Sequence, residues 1–131
     1  MQLPAMQRVF TGAPWEKKVG YCRAVRARDQ VHVSGTAPVN PDGSTHAPGD
    51  AYAQARRCCE IALAALRELG GKPSDVVRTR MFVTDISRWH EYGRAHAEAF
   101  GESPPATSMV EVRALIAPDM LIEIEVDAVV E

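Results

Sequence analysis

Four kinds of side chain in this sequence could carry chemistry, and their spacing narrows the field. The histidines are His32, His46, His90 and His96. His90 and His96 stand six apart, on different faces of a helix, so no metal-ligand pair is expected. Ser34 precedes Gly35, yet the flanks of a G-x-S-x-G nucleophile elbow are missing, and a strand-end hydroxyl reads as a turn hydrogen-bonder. Cys22 has no base beside it to make a thiolate. Cys58 and Cys59 are adjacent and cannot both face one partner, and no C-x-x-C pair exists. A disulfide framework is not expected, and a reducing, cytoplasmic setting is. Carboxylates give the clearest pattern. Glu123, Glu125 and Asp127 alternate with Ile122, Ile124, Val126 and Ala128, so a strand there presents acids on one face and aliphatics on the other.

The elements that position these groups follow from periodicity. Short strands are expected at 8–10, 22–28 and 30–34, the last ended by Gly35. Asn40-Pro41-Asp42-Gly43 marks a turn. In 51–69, Ala55, Cys59, Ala62, Leu66 and Leu69 recur at steps of four and three, which predicts a helix with one apolar stripe. Asp50 is its expected N-cap and Gly70 its C-terminal stop. A strand follows at 76–84. Ser87 is expected to cap a second helix with Trp89, Tyr92, His96 and Phe100 on its inner face. Gly101 and Pro104-Pro105 end it. The last two strands, 107–115 and 121–130, flank Ala117-Pro118-Asp119 and read as a hairpin. The order predicts an α+β fold with two helices on one face of a mostly antiparallel sheet.

Alternation extends to the other strands. Val110, Val112 and Ala114 share one face of their strand, and Thr107, Met109, Glu111 and Arg113 the other. Arg78 and Arg80 alternate with Val77, Thr79 and Met81. With the apolar faces against the helices, the opposite face would carry Glu123, Glu125, Asp127, Glu111 and Arg113, joined by Arg78 and Arg80. One reading is a solvated face whose cross-strand pairs contribute roughly 0.2–1 kcal/mol each. The other is a face that packs on further copies of the chain and lines a site.

Bulk properties exclude several classes. The chain has 131 residues, 46% hydrophobic and 24% charged, with a net charge of −2. That suits one globular domain over 1–131 and leaves little room for a deep pocket inside one subunit. Without a basic excess or stripe, nucleic acid is not an expected partner. The longest apolar stretch, 61–66, cannot span a bilayer, and 1–10 lacks a signal-peptide core, so no membrane partner is expected. No glycine-rich nucleotide cradle is present.

Several stretches resemble one family. Val33-Ser34-Gly35-Thr36-Ala37-Pro38-Val39-Asn40-Pro41-Asp42-Gly43 is similar to its strand and glycine-containing turn, and Met81-Phe82-Val83-Thr84-Asp85 to its central strand. Pro105-Ala106-Thr107-Ser108-Met109-Val110-Glu111-Val112, followed by Ile122-Glu123-Ile124-Glu125, resembles its C-terminal signature. The family is RidA/YjgF, the imine deaminases also described as endoribonuclease L-PSP, and the resemblance runs from about Val19 to Val130. It implies a chorismate-mutase-like subunit in a homotrimer, with a small-molecule pocket at each subunit interface. It implies hydrolysis of enamines or imines such as 2-aminoacrylate to keto acids and ammonia, without metal or organic cofactor. Carried over by position, Glu123 is the carboxylate that activates water, with Tyr21, Ser34 and Gly35 beside it. Thr107 stands where active members carry a carboxylate-gripping arginine, with Met109 beyond it on the same face, and Gly93 stands where they carry an asparagine. Arg80 is the first candidate for a replacement cation, and its alternative is an ion pair with the acids of the last strand. The implied function is a RidA-like hydrolase with altered substrate choice. The alternative is a non-catalytic binding or sensing trimer.

Overall fold

The computed structural model describes residues 6–131. Its elements are β1 (Gln7–Val9), α1 (Pro14–Val19), β2 (Ala24–Ala27), β3 (Gln30–Thr36), α2 (Ala51–Glu68), β4 (Val76–Val83), α3 (Trp89–Phe100), β5 (Ala106–Glu111) and β6 (Ile122–Val129). They build one six-stranded sheet in the order β1-β2-β3-β6-β4-β5. Every neighbouring pair is antiparallel except β4 and β5, which run parallel. The β3-α2-β4 and β4-α3-β5 crossovers step the same way across the sheet. Crossovers of one hand then place both helices on the same face. This is the α+β architecture that the strand and helix order predicted.

Helix α2 forms where the stripe predicted it. Asp50 caps it by accepting from the Ala53 amide at 2.9 Å, satisfying one of the free first-turn donors. At the other end Gly70 takes a φ of 89°, and the amides of Gly70 and Gly71 close back on Arg67 and Leu66. The buried face of α2 is mostly small: Ala51, Ala55, Cys58, Cys59, Ala62 and Ala65, with Leu66 as its one large fully buried aliphatic. Such a face lets the helix lie close on Val31, Val33, Ile122, Ile124 and Val126, all buried.

Gln54 was not singled out by pattern, since it is polar and falls on the buried face. It is fully buried. Its amide nitrogen donates to Asp119 at 3.0 Å and to Ala47 at 3.3 Å, and its oxygen accepts from the Leu121 amide at 2.8 Å. These bonds tie α2 to the start of β6, the strand that carries Glu123.

Four sequence expectations are corrected. The 107–115 and 121–130 segments do not form a hairpin; β6 runs between β3 and β4, and β5 lies on the far side of β4. The reason is burial: β6 alternates buried aliphatics along its whole length, whereas β5 is exposed or half-buried throughout, as suits an edge. The faces of β5 are therefore reversed. Its register sets Thr107 beside Thr79 and Met109 beside Met81, on the helix side, and leaves Ser108 and Val110 on the side of the acids. Ser87 does not cap α3; its amide and hydroxyl both bond to Asp85 in a 3-10 turn before the helix. Tyr92 and Phe100 are buried, but Trp89 is 61% exposed, because α3 first meets the sheet at Tyr92. The segment 14–19 also forms a helix that pattern missed, started by Pro14 at its first position.

Candidate functional site

A β-bulge organises the outer face of the sheet. Val33 pairs with Val126 and Thr36 with Ile124, so β3 spends three steps where β6 spends two. The extra residue lies in Ser34-Gly35, and bulges of this kind re-aim side chains. Here Thr36 returns to the core, fully buried, and its hydroxyl bonds to the Ser34 carbonyl at 2.7 Å. Gly35 faces outward against Glu123. A Cβ added to Gly35 would stand 2.9 Å from the Glu123 Cδ, so the carboxylate lies directly on the glycine backbone. Gly35 has ordinary backbone angles; it is required there for space.

Glu123 is half-buried and accepts no hydrogen bond from any described residue. Burial pushes its carboxyl above the usual value of 4.5; the Arg23 guanidinium opposes this, and Glu125 adds to the rise. Ser34 donates its hydroxyl to the Cys22 carbonyl at 2.7 Å, the hydrogen-bonding role expected of it. Arg23 lies across the same patch. Its Nη2 donates to the Gly35 carbonyl at 2.8 Å, and its guanidinium carbon sits 5.6 Å from the centre of the Tyr21 ring. Tyr21, Arg23, Ser34, Gly35 and Glu123 thus form one cluster, delivered by the segment that leads from α1 into β2, the β3 bulge and β6.

The remaining sequence candidates lie elsewhere. Arg80 pairs with Asp127 at 3.1 Å and Glu125 at 3.7 Å. His32 also meets Asp127, at 2.8 Å. This is the cross-strand pairing weighed as the alternative for Arg80. Thr107 lies on the other side of the sheet, where Thr79 donates to its hydroxyl at 2.7 Å and itself lies 2.7 Å from His96 Nε2. Burial lowers the His96 pKa, which favours the neutral ring. Met109 is on that same side, packed against the core. One copy of the chain therefore cannot bring Thr107 and Met109 to its own Glu123. Two open clefts of the single chain, around Lys72 and Val129 and around Lys72 and Phe100, include none of the cluster. Cys58 and Cys59 are buried core thiols, and burial raises both, Cys59 to about 12. Among the described residues no group of histidines, cysteines and carboxylates is arranged to hold a metal. No helix among them is long and apolar enough to cross a membrane.

A family model described as endoribonuclease L-PSP matches residues 12–130. The chain belongs to that family, RidA/YjgF. The RidA/YjgF fold is equally plain in space. A solved Mycobacterium tuberculosis member of the YjgF/YER057c/UK114 family is 48% identical, with a TM-score of 0.88 over 96% of this chain and all of that one. A RutC family protein of Pyrococcus abyssi is 34% identical, covering 92% of this chain and 94% of its own. A protein of Acinetobacter baylyi named 3-aminoacrylate deaminase RutC is 36% identical, over 79% of this chain and 82% of its own. The match spans every element that shapes the cluster, from α1 to β6. The burial of Arg23 beside Glu123 emerges from the β2-β3-β6 pairing, for which no local motif exists.

Proposed function

We propose that the chain is a hydrolase of small imines or enamines, working in pockets shared between copies of a homotrimer, with Glu123 activating the attacking water. The observation that carries this is Glu123 itself: a half-buried carboxylate with a raised pKa, no internal hydrogen bond, and a glycine kept clear beneath it. Such a group is available to water and tuned toward neutral pH. The name of the Acinetobacter baylyi relative supports the same reaction class. An enamine first tautomerises to its imine. Water then bonds to the imine carbon as its proton passes to Glu123. The proton returns to nitrogen to give the carbinolamine; its hydroxyl proton then passes to nitrogen as the C–N bond breaks, C=O forms and ammonia leaves. Water is the only co-reactant, and the residues call for no cofactor.

The placement of these residues in the sheet supports a shared pocket. Thr107 and Met109 lie across the sheet from Glu123, so their joint action needs the β5 edge of one copy beside the cluster of another. Half-buried Val25 and Phe82 and the more exposed Val110 and Val129, set among charges on the outer face, suit burial against such a copy. The working unit is the single domain 1–131, in a cytoplasmic setting.

A second reading, a binding or sensing trimer without turnover, draws on Thr107, whose neutral hydroxyl is already engaged by Thr79. The deciding experiment generates 2-aminoacrylate and 2-iminobutyrate in situ and follows ammonia or keto-acid release by wild type, Glu123→Ala and Thr107→Arg. Wild-type turnover lost in Glu123→Ala is the expected result. Turnover retained in Glu123→Ala overturns the glutamate's role. No turnover in wild type, with thermal stabilisation by small acids, favours the binder.

A further inference from the structure

If Thr107 is not the group that grips an anionic substrate, a cation must come from elsewhere, and most arginines are already engaged. Arg80 is held by Asp127 and Glu125. Arg88 is held by Glu91 in a two-point pair. Arg26 bonds three carbonyls, those of Arg28, Leu69 and Val130. Arg94 lies 4.0 Å above the Tyr52 ring. Arg23 differs from all of them. It is only 8% exposed, its Nη2 reaches the Gly35 carbonyl, and its Nε is the one buried side-chain polar atom without a partner among the described residues. Charged side chains are rarely buried unpaired, and an orphaned buried donor calls for an explanation. The two nearby acids do not supply one. Glu16 spends its oxygens on Thr11 and Gly12, and Glu123 influences Arg23 across a gap without a direct hydrogen bond.

We infer that Arg23 is the anion subsite of the Glu123 pocket, taking the carboxylate of a small 2-imino or 2-oxo acid. This rests on the pocket proposed above and deepens it by naming the residue that binds the substrate carboxylate. A guanidinium presents a planar fork of donors that matches a carboxylate. With Nη2 anchored on Gly35 and the Tyr21 ring beside it, the fork is fixed against the peptide on which Glu123 lies. A ligand carboxylate on Arg23 leaves its α-carbon in the gap toward Glu123, where water is to be activated. Arg23 immediately precedes β2, whereas Thr107 comes from β5 on the opposite side of the sheet, so the subsite has moved to a different part of the sheet.

The test measures binding of pyruvate and of its neutral analogue pyruvamide by calorimetry, on wild type, Arg23→Gln and Arg23→Lys. Pyruvate binding is expected to weaken at least tenfold in Arg23→Gln and less in Arg23→Lys, with pyruvamide unchanged. Arg23→Lys keeps the charge and supplies the comparison should Arg23→Gln fail to fold. Equal binding of pyruvate by all three proteins overturns the inference, as does a wild type that binds both compounds alike or neither. The two readings separate cleanly. If wild type binds pyruvate through Arg23 yet hydrolyses no imine, the subsite stands and the hydrolase falls. If imines are hydrolysed with the same KM in Arg23→Gln, the hydrolase stands and the subsite falls.

Discussion

Glu16 and Glu123 are two carboxylates that both feel the charge of Arg23, and the fold treats them in opposite ways. Glu16 lies at 5% exposure in α1 and accepts from the Thr11 amide at 3.2 Å, the Thr11 hydroxyl at 2.7 Å and the Gly12 amide at 3.2 Å. Burial alone would raise its pKa; those hydrogen bonds and the Arg23 charge outweigh it, and the net shift is downward. Glu123 has burial without donors, and its pKa goes up. A carboxylate surrounded by donors fixes a loop. One left without donors keeps its lone pairs for something else. The contrast separates a structural acid from a reactive one by hydrogen-bond supply rather than by residue type.

The sharpest way to break this contrast is turnover. Glu123→Gln is expected to lose roughly 10²–10⁴ in kcat, the usual scale for a general base, without any loss of melting point. Glu16→Gln is expected to retain kcat within a few-fold once folded protein is counted. Equal losses in the two would erase the distinction. Next in size is stability: Glu16→Ala orphans the Thr11 and Gly12 amides and should cost about 1–3 kcal/mol in denaturant unfolding. A cost below a few tenths would mean the Thr11–Gly12 turn stands by itself. Smaller again is Gly35→Ala. The new methyl meets only the end of a flexible side chain, so the fold should hold while the carboxylate shifts, lowering kcat/KM on the order of tenfold, the sensitivity expected of a misplaced catalytic group. Unchanged kinetics would show that Glu123 acts from another position.

The smallest effect is in pH and carries opposite signs. A lowered folded pKa adds stability that is complete above the ordinary carboxylate value near 4.5 and is lost as pH falls through the folded value. A raised one costs stability at neutral pH, and that cost disappears as pH falls through the raised value. Glu16→Gln should therefore melt lower than wild type at pH 7, with the difference closing below pH 4.5. Glu123→Gln should melt slightly higher at pH 7, with the difference closing on the acid side of neutrality. Melting curves of both variants across pH 3–8 read this directly, and like signs for the two would refute it.

The sequence made the sheet's two ends unequally legible. Helix α2, β4 and β6 were readable because each carries a long one-sided pattern with a cap or a turn at its limits. The partner of β5 was not, because proximity in sequence and the Ala117-Pro118-Asp119 turn favour a hairpin. What decides the pairing is that Ile122, Ile124, Val126 and Ala128 demand neighbours on both sides, a cost that the half-polar β5 does not impose. The same misplacement sent Thr107 and Met109 to the wrong face. Glu123 and the Ser34-Gly35 pair were found by resemblance, and alternation alone would have left Glu123 equal to Glu125 and Asp127. The pairing of β6 with β3 and β4 distinguishes them: Asp127 meets His32 and Arg80, Glu125 meets Arg80, and Glu123 meets a glycine.

The extra residue of the β3 bulge makes this corner of the molecule a matter of counting. Val33 and Thr36 both point inward across an odd number of steps, which an unbroken strand forbids. Deleting Ser34 or Gly35 would restore the ladder with Val33 and Thr36 two steps apart and still inward, but would remove one of the two residues the bulge holds between them. Insertions and deletions here should thus be purged far more strictly than substitutions at Ser34. In lineages that drift in chemistry while keeping the scaffold, the segment length between Val33 and Thr36 should outlast the identities of the residues it holds.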